Sequence, residues 1–193
     1  MELFLIRHGE FNYKDIKADP GLSKRGRLQS KLIAKRLSKE RFDKIYSSDL
    51  QRNIETLEYI KKYHKKTPII ITPQLREVCR ELNGAKKRPR ITYERIKADK
   101  KNIEYVYNRI LKDNRLNSKI LLIVHGNVIN YLLAKFLGVN SKKFWKIMIW
   151  PTSLTQVETN KKEYIIKLIG NTSHLKDEQF SMQPHLDFDG NHV

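Results

Sequence analysis

Apolar positions along the chain alternate between short continuous runs and stripes at helical spacing. The runs predict buried strands, and the stripes, with apolar residues three or four positions apart, predict helices. The predicted strands are Glu2–Arg7, Asp43–Tyr46, Pro68–Thr72, Lys119–Val124, Thr155–Glu158 and Tyr164–Ile169. The predicted helices run from Leu22–Ser23 to Leu37, from Leu50 to Ile60, over Tyr93–Leu111 and over Val128–Leu137. This alternation predicts a three-layer α/β/α sandwich with a mainly parallel central sheet.

The chain reads as one domain followed by a polar tail. It has 193 residues, 39% of them hydrophobic, and only 8 glycines and 6 prolines, which are scattered. No linker therefore divides it, and the length suits a single domain. From Lys176 onward the sequence turns polar and loses its periodicity. We expect a domain over residues 1–175 and a polar C-terminal tail over residues 176–193.

Composition excludes several classes of protein. No apolar run is long enough for a transmembrane helix, and the N-terminus lacks the pattern of a signal peptide, so we expect a cytoplasmic protein without membrane contact. The single cysteine, Cys79, excludes an intrachain disulfide framework and a cysteine-based zinc site. The formal net charge of +18 favours phosphates, polyanions or acidic surfaces as partners. A nucleic-acid-binding module is one reading of that charge.

Two predicted strands end in the same way, with a histidine followed by glycine. The first strand runs into Arg7, His8 and Gly9, and the strand Lys119–Val124 runs into His125 and Gly126. Ligands of such sheets bind beyond the carboxyl ends of the strands. Because two imidazoles and an arginine converge there, we expect a pocket for a tetrahedral oxyanion.

A second arginine is expected at the same edge of the sheet. Ser47 or Ser48 can cap the helix that follows the second strand, and Arg52 then lies about one turn inside it. From that position the guanidinium can reach back over the edge of the sheet to a bound anion.

Five stretches of the chain, in order, resemble the motifs of the histidine phosphatase superfamily, which includes the cofactor-dependent phosphoglycerate mutases. Together they span Met1 to about Leu137. They are Leu5-Ile6-Arg7-His8-Gly9-Glu10, the segment Leu22–Gln29, the segment Ser47–Thr56, Leu75-Arg76-Glu77, and Val124-His125-Gly126-Asn127. The resemblance implies a phosphoglycerate mutase-like fold.

The resemblance also implies a mechanism without metal or other cofactor. His8 is then the nucleophile that forms a phosphohistidine. Arg7, Arg52 and a protonated His125 hold the phosphate oxygens and meet the charge of the transition state. Glu77 protonates the leaving oxygen and later activates water. Glu81, one helical turn further on, is the alternative proton donor.

Four further residues are expected to bind the substrate: Gly9, Asn12, Gly126 through its backbone N–H, and Arg88. Arg88 belongs to the basic segment 84–90, which follows the proposed acid and is placed to steer an anionic substrate. The family pattern is altered after the first motif, where Phe11 cannot donate a hydrogen bond and Asn12 stands closer to His8 than in many mutases.

The short stretch between Glu77 and His125 favours hydrolysis over transfer. The mutases carry a longer cap there, and an open site admits water. The resemblance therefore implies a phosphomonoesterase of the histidine acid phosphatase type, acting on a phosphorylated small molecule or a phosphoprotein. A phosphoglycerate mutase is the alternative enzyme, and a nucleic-acid-binding module on an inactive phosphatase scaffold is the alternative from another class.

The remaining aromatic and histidine residues are expected to be structural. His174 follows the last strand, either near the site or in a structural role, and His64, His185 and His192 are predicted on the surface. Trp145 and Trp150 are expected in the core or in a contact between two copies of a homodimer. No histidine spacing predicts a metal site, and the filled catalytic motifs make nucleic acid an unfavoured partner.

Overall fold

The fold was analysed in a computed structural model, which describes residues 1–15 and 18–176. In chain order the strands and helices are β1 (Glu2–Arg7), α1 (Lys24–Leu37), β2 (Lys44–Ser47), α2 (Gln51–Lys61), β3 (Ile69–Ile71), α3 (Tyr93–Asp113), β4 (Lys119–Val124), α4 (Gly126–Phe136), β5 (Leu154–Thr159) and β6 (Tyr164–Asn171). Among these helices, none combines the length and apolar character needed to span a bilayer.

The strands form one sheet in the order β3-β2-β4-β1-β5-β6. The four strands β3, β2, β4 and β1 are parallel, whereas β5 pairs antiparallel with β1 and β6 antiparallel with β5. The register pairs Glu2 of β1 with Lys119 of β4 and Arg7 with Val124. The mainly parallel sheet that the sequence predicts is therefore confirmed, with the two late strands as its antiparallel edge.

Helices cover both faces of the sheet and produce two apolar clusters. On one face Phe4 and Ile6 of β1 pack with Ile33 of α1 and Leu57 of α2. On the other face the intervening β1 residues meet buried side chains of α3 and α4. Successive residues of a strand point to opposite faces, so a strand with helices on both sides is apolar throughout, as β1 and β4 are. The three-layer sandwich is confirmed.

The helix that carries Arg52 begins differently from the prediction. Its N-terminal flanking residue is Leu50, which makes no side-chain capping bond. Instead, the carboxylate of Asp19 accepts a hydrogen bond from the backbone N–H of Gln51 at 2.8 Å. Ser47 and Ser48 therefore do not cap the helix in the predicted way, because the loop after β1 supplies an anionic cap.

Element ends agree with the predictions to within two residues, and β1 and β4 match them in full. α4 begins at Gly126 rather than Val128 and so brings its first turn directly against His125. Gly138, predicted as the C-terminal capping glycine, has φ +64°, a conformation that glycine adopts without strain. The predicted tail, residues 176–193, lies outside the described residues except for Lys176.

Two short 3₁₀ segments lie against each other beyond the sheet edge. They are Arg80–Asn83 and Ser141–Lys146. Gly84 ends the first with φ +93°, and a Cβ there would overlap the backbone of Lys142. Glycine at this position therefore lets the two segments pack closely. Together they cover part of the edge at which β1 and β4 end.

Candidate active site

His8 and His125 lie side by side because the strands they follow are neighbours. β1 and β4 are parallel and in register at their carboxyl ends, where Arg7 is opposite Val124. The next residue of each strand is one of the two histidines, and their ring centroids are 4.9 Å apart. Both side chains are buried, with 1% and 0% exposure. The predicted convergence of the two imidazoles is thus present.

The hydrogen bonds of His8 show which ring nitrogen carries the proton and which carries the lone pair. Nδ1 lies 2.7 Å from the carbonyl oxygen of Gly9, which can only accept, so the proton is on Nδ1. Nε2 in turn accepts a hydrogen bond from Nε of Arg52 at 3.2 Å. Burial lowers the pKa of His8 well below its usual value, and His125, Arg7 and Arg52 lower it further. The ring is therefore neutral and nucleophilic at Nε2.

His125 is buried without a hydrogen-bond partner. Neither ring nitrogen has one among the described residues. Burial lowers the pKa of the ring well below its usual value, with further lowering by Arg52 and Arg7. Burial therefore disfavours the protonated form of His125 that the resemblance implies. An unsatisfied buried polar group costs about 1–3 kcal/mol, and an oxyanion here would provide the missing partner.

Two arginines complete the group of polar side chains around His8. Arg52 is held by Asp19, whose carboxylate lies 3.4 Å from Nη1, and its guanidinium lies 5.3 Å from the ring centroid of Phe11. Arg7 donates from Nη1 to the carbonyl oxygen of Ile149 at 2.7 Å and also hydrogen-bonds Tyr13. Each guanidinium is therefore oriented by fixed contacts.

Glu77 and Glu81 are in opposite electrostatic environments. Burial raises the pKa of Glu77 to about 7, although Arg7 and Arg52 act to lower it. Its Oε1 accepts a hydrogen bond from the backbone N–H of Asn127 at 3.2 Å. Burial also acts to raise the pKa of Glu81, but hydrogen bonds from Arg88 outweigh it and lower the value. Only Glu77 is therefore suited to carry a proton near neutral pH.

A cavity of about 310 Å³ opens beside these groups. Four of the predicted site residues line it, namely Arg7, Glu77, Gly126 and Arg88. Sequence reasoning missed most of the other wall, which comes from Phe11, Tyr13, Val78, Arg80, Asn127, Asn130, Trp145, Ile147, Met148 and Ile149. Trp145 was expected in the core or in a dimer contact, but it is part of this wall. In the sequence, the family motifs around positions 8, 77 and 125 were the features that indicated a site near this cavity.

Two predicted substrate-binding residues lie elsewhere. The backbone N–H of Gly9 donates to Oγ1 of Thr56 at 3.1 Å. The side chain of Asn12 is exposed and accepts a hydrogen bond from the backbone N–H of Lys14 at 3.2 Å. Neither residue lines the cavity. His8, Arg52 and His125 are not among its lining residues either, and they form a buried group beside it.

Several motif residues hold the loop after β1 rather than the cavity. A Cβ at Gly9 would lie 2.5 Å from the carbonyl oxygen of Gly26, so glycine is needed where this loop meets the first turn of α1. Glu55 accepts a hydrogen bond from the backbone N–H of Leu22 at 3.1 Å and thereby ties the same loop to α2. These residues fix where Phe11 and Asp19 meet Arg52.

His174 has a structural environment. Its Nε2 lies 3.1 Å from Oγ1 of Thr152, and its Nδ1 lies 3.3 Å from Nη1 of Arg36. It does not line the cavity. Within residues 1–15 and 18–176, no three histidine, cysteine, aspartate or glutamate side chains are grouped so that they could hold a metal ion.

Comparison with known proteins agrees with this geometry. The family model described as "Histidine phosphatase superfamily (branch 1)" matches residues 3–172. A probable phosphatase of Schizosaccharomyces pombe is 32% identical, over 93% of this chain and 97% of the relative. Phosphoserine phosphatase 1 of Hydrogenobacter thermophilus is 25% identical, over 96% and 98%. The solved structure of YhfR from Bacillus stearothermophilus superposes with a TM-score of 0.75 at 21% identity, over 90% and 98% of the two chains. The chain belongs to branch 1 of the histidine phosphatase superfamily.

Proposed function

We propose that this protein is a phosphomonoesterase that transfers the phosphoryl group of a small phosphorylated molecule to His8 and then to water. One observation carries the proposal. Nε2 of a neutral His8 lies against the guanidinium of Arg52 and beside His125, whose two ring nitrogens have no partner among the described residues. A tetrahedral oxyanion provides acceptors for the guanidinium of Arg52 and for one ring N–H of His125, and it meets the nucleophile directly.

In the first step the phosphate oxygens accept hydrogen bonds from Arg7 and Arg52. The Nε–H of Arg52 exchanges His8 for a phosphate oxygen, which frees the lone pair on Nε2. That lone pair attacks phosphorus in line, and the bond from phosphorus to the ester oxygen breaks. Glu77, protonated below its raised pKa, gives its proton to the departing oxygen.

In the second step the phosphohistidine is hydrolysed. The carboxylate of Glu77 takes a proton from water, whose oxygen attacks phosphorus while the bond from nitrogen to phosphorus breaks. Inorganic phosphate leaves, and His8 and Glu77 return to their initial states. The N-terminus of α4, at Gly126, offers backbone N–H groups and a favourable dipole to the phosphate throughout.

The cavity favours a small substrate over a phosphoprotein. Its volume of about 310 Å³ is at the lower end for ligand pockets. The segments Arg80–Asn83 and Ser141–Lys146 stand over one side, where the loop of a folded protein would have to enter. A relative named as a phosphoserine phosphatase supports a small phosphate ester. A cytoplasmic location and a homodimer stay predictions of the sequence.

Two ionisations support an optimum on the acid side of neutrality, as in phosphatases of the acid type. The first step needs neutral His8, so it gains rate as pH rises through the lowered pKa of that ring. It also needs protonated Glu77, so it loses rate as pH rises through about 7. The window of full activity lies between the two values.

Trapping the intermediate tests the proposal. We expect the wild type to hydrolyse p-nitrophenyl phosphate in the presence of EDTA and to acquire acid-labile, alkali-stable ³²P label from labelled substrate. His8→Ala should acquire none, whereas His174→Ala, which alters a histidine outside the cavity, should be labelled normally. Equal turnover by wild type and His8→Ala would disprove the assignment of the nucleophile.

The two alternatives predict different results. A phosphoglycerate mutase would interconvert 3- and 2-phosphoglycerate in a coupled assay faster than it releases phosphate. A nucleic-acid-binding module would bind duplex at micromolar protein with a steep dependence on salt, and it would show no phosphatase activity that depends on His8.

A further inference from the structure

A second cavity, at the opposite end of the sheet, is lined by cations. It has a volume of about 760 Å³ and lies where the α1–β2 connection meets the α2–β3 connection. Lys39 and Arg41 come from the first connection, and Lys62, Lys65 and Lys66 from the second. These connections precede the N-terminal ends of β2 and β3, whereas the active-site cavity lies at the carboxyl ends of β1 and β4. We call this second cavity the distal basic cavity.

The positive charge of the distal basic cavity is not neutralised by the protein. Glu40 is the only acidic residue in its lining, and it is paired with Lys119 at 2.7 Å. No ion pair within the described residues involves Lys39, Arg41, Lys65 or Lys66. The C-termini of α1 and α2 point into this region and have negative ends. Each contributes roughly half a charge, so five cationic side chains exceed what the two helix ends can neutralise.

A buried histidine points to a ligand rather than to solvated lysines alone. His64 was predicted on the surface, but it is only 6% exposed and lines this cavity. Its ring packs on Phe42, with centroids 5.2 Å apart, and also bonds to the carbonyl of Leu37. Its Nε2 is buried with no hydrogen-bond partner among the described residues. A ring nitrogen without a partner, in a residue that lines a cationic cavity, is suited to an anion's oxygen.

We propose that the distal basic cavity binds a small molecule that carries two or more phosphate groups. One phosphate oxygen hydrogen-bonds the Nε2 position of His64 in its protonated form, and the remaining phosphates lie among the lysines of the rim. The cavity is concave and bounded by only two connections, so it holds a few neighbouring phosphates. A nucleic-acid duplex would need a longer basic surface.

The ring of His64 is expected to gain a proton when the anion binds. Burial lowers the pKa of this ring, while the Leu37 carbonyl and Glu40 act to raise it. Because burial disfavours the charged ring, a phosphate group beside it would provide the compensating charge for protonation. Binding of the ligand should therefore take up a proton.

Inorganic tripolyphosphate is the probe, with binding measured by calorimetry on the full chain. Saturating vanadate blocks the catalytic centre, so that only the second site is recorded. We expect binding that weakens about tenfold in the triple variant Lys39→Gln/Lys65→Gln/Lys66→Gln and several-fold in His64→Gln. The matched control is Lys31→Gln/Lys97→Gln/Lys101→Gln, which removes the same charge from exposed helical positions and should bind as the wild type does.

Three outcomes overturn the proposal. They are no binding of tripolyphosphate by the wild type, an equal loss in the control triple variant, and tighter binding of a short RNA duplex than of tripolyphosphate. Hydrolysis of p-nitrophenyl phosphate is measured on separate, vanadate-free samples of the same four proteins and should be unchanged in all of them. The phosphatase assay thus reports on the catalytic centre separately, and either proposal can fail without the other.

Discussion

The active site has a phosphate end, formed by His8, His125 and Arg52, and a leaving-group end in the cavity beside them, and the two ends are built from different kinds of structure. At the phosphate end, His8 and His125 directly follow adjacent strands, and Arg52 lies in the first turn of α2. At the leaving-group end, Trp145 and Met148 come from an irregular segment outside the sheet. Ends of regular elements are positioned by the whole sheet, whereas an irregular segment can change without disturbing the core. The chemistry is therefore tied to the fold, and the choice of substrate is free to vary.

Charge divides the two ends in the same way. The guanidiniums at the phosphate end face Glu77, whose pKa is raised to about 7, and Arg52 also pairs with Asp19 at 3.4 Å. At the other end Arg88 is paired with Glu81 at 2.7 Å, and Trp145 and Met148 add apolar surface. The first end is thus suited to a doubly charged group, and the second to the uncharged body of an ester.

The largest expected effect is loss of the nucleophile. We expect His8→Ala to lower kcat for p-nitrophenyl phosphate by about 10⁴-fold or more, because the lone pair that attacks phosphorus is lost. Steady-state kinetics measure this directly. His174→Ala should retain activity within about threefold, since that ring hydrogen-bonds Thr152 and Arg36 and does not line the cavity. If His8→Ala lowered kcat only slightly, phosphoryl transfer would not take place at the phosphate end.

The next effect concerns the guanidinium beside the nucleophile. We expect Arg52→Ala to lower kcat/KM by about 10²–10³-fold, since one preorganised donor to the transition state is lost. It should also raise the pKa of His8, because Arg52 is among the groups that depress it. The rise is measurable by NMR titration of the ring. Arg109→Ala, which removes an exposed arginine paired with Asp113, is the control and should change neither quantity.

The phosphate end could be predicted because its residues are determined by chain position. A histidine that directly follows a buried strand lies at the sheet edge, and adjacent parallel strands then bring His8 and His125 together. Arg52 followed from a helix that begins after β2. Each of these residues lies in a short, contiguous family motif, so a few neighbouring residues are enough to identify it. The spacing of apolar residues similarly predicted the sheet and helices α1 to α4.

The leaving-group end could not be predicted because its residues have no periodic pattern. Trp145 lies in a 3₁₀ segment whose position depends on packing against Arg80–Asn83, and that packing depends on the left-handed backbone of Gly84. The burial of His64 similarly depends on where two loops meet. Asn12 was predicted to bind the substrate by analogy, but its side chain accepts a hydrogen bond from a backbone N–H in a local turn. Such contacts between distant irregular segments leave no local signal in the sequence.

Glu77 is the proposed proton donor to the leaving group, so the effect of replacing it should depend on that leaving group. We expect Glu77→Gln to lower kcat/KM by about 10²-fold for alkyl phosphates, and much less for p-nitrophenyl phosphate, whose leaving group departs without a proton. The wild type should lose activity as pH rises through about 7, and Glu77→Gln should lack that decline. Rates for a series of esters between pH 5 and 9 measure both.

Glu81→Gln is the matched control for Glu77. Its side chain is held by Arg88, whose hydrogen bonds keep the pKa of Glu81 low. The variant should keep the decline above pH 7 and change kcat little for every leaving group. If instead Glu81→Gln abolished that decline and Glu77→Gln did not, the roles of the two carboxyls would have to be exchanged.

The smallest effect is expected at the leaving-group wall. Trp145→Ala removes a large ring from the cavity, which should raise KM about tenfold for aryl phosphates while kcat changes less than about threefold. Compact phosphates such as phosphoserine should be less affected, because they leave that wall uncontacted. Ile169→Ala, an exposed residue of β6, provides the baseline. A fall in kcat comparable to that of Arg52→Ala would show that the wall also positions the phosphate, and the division between the two ends would not hold.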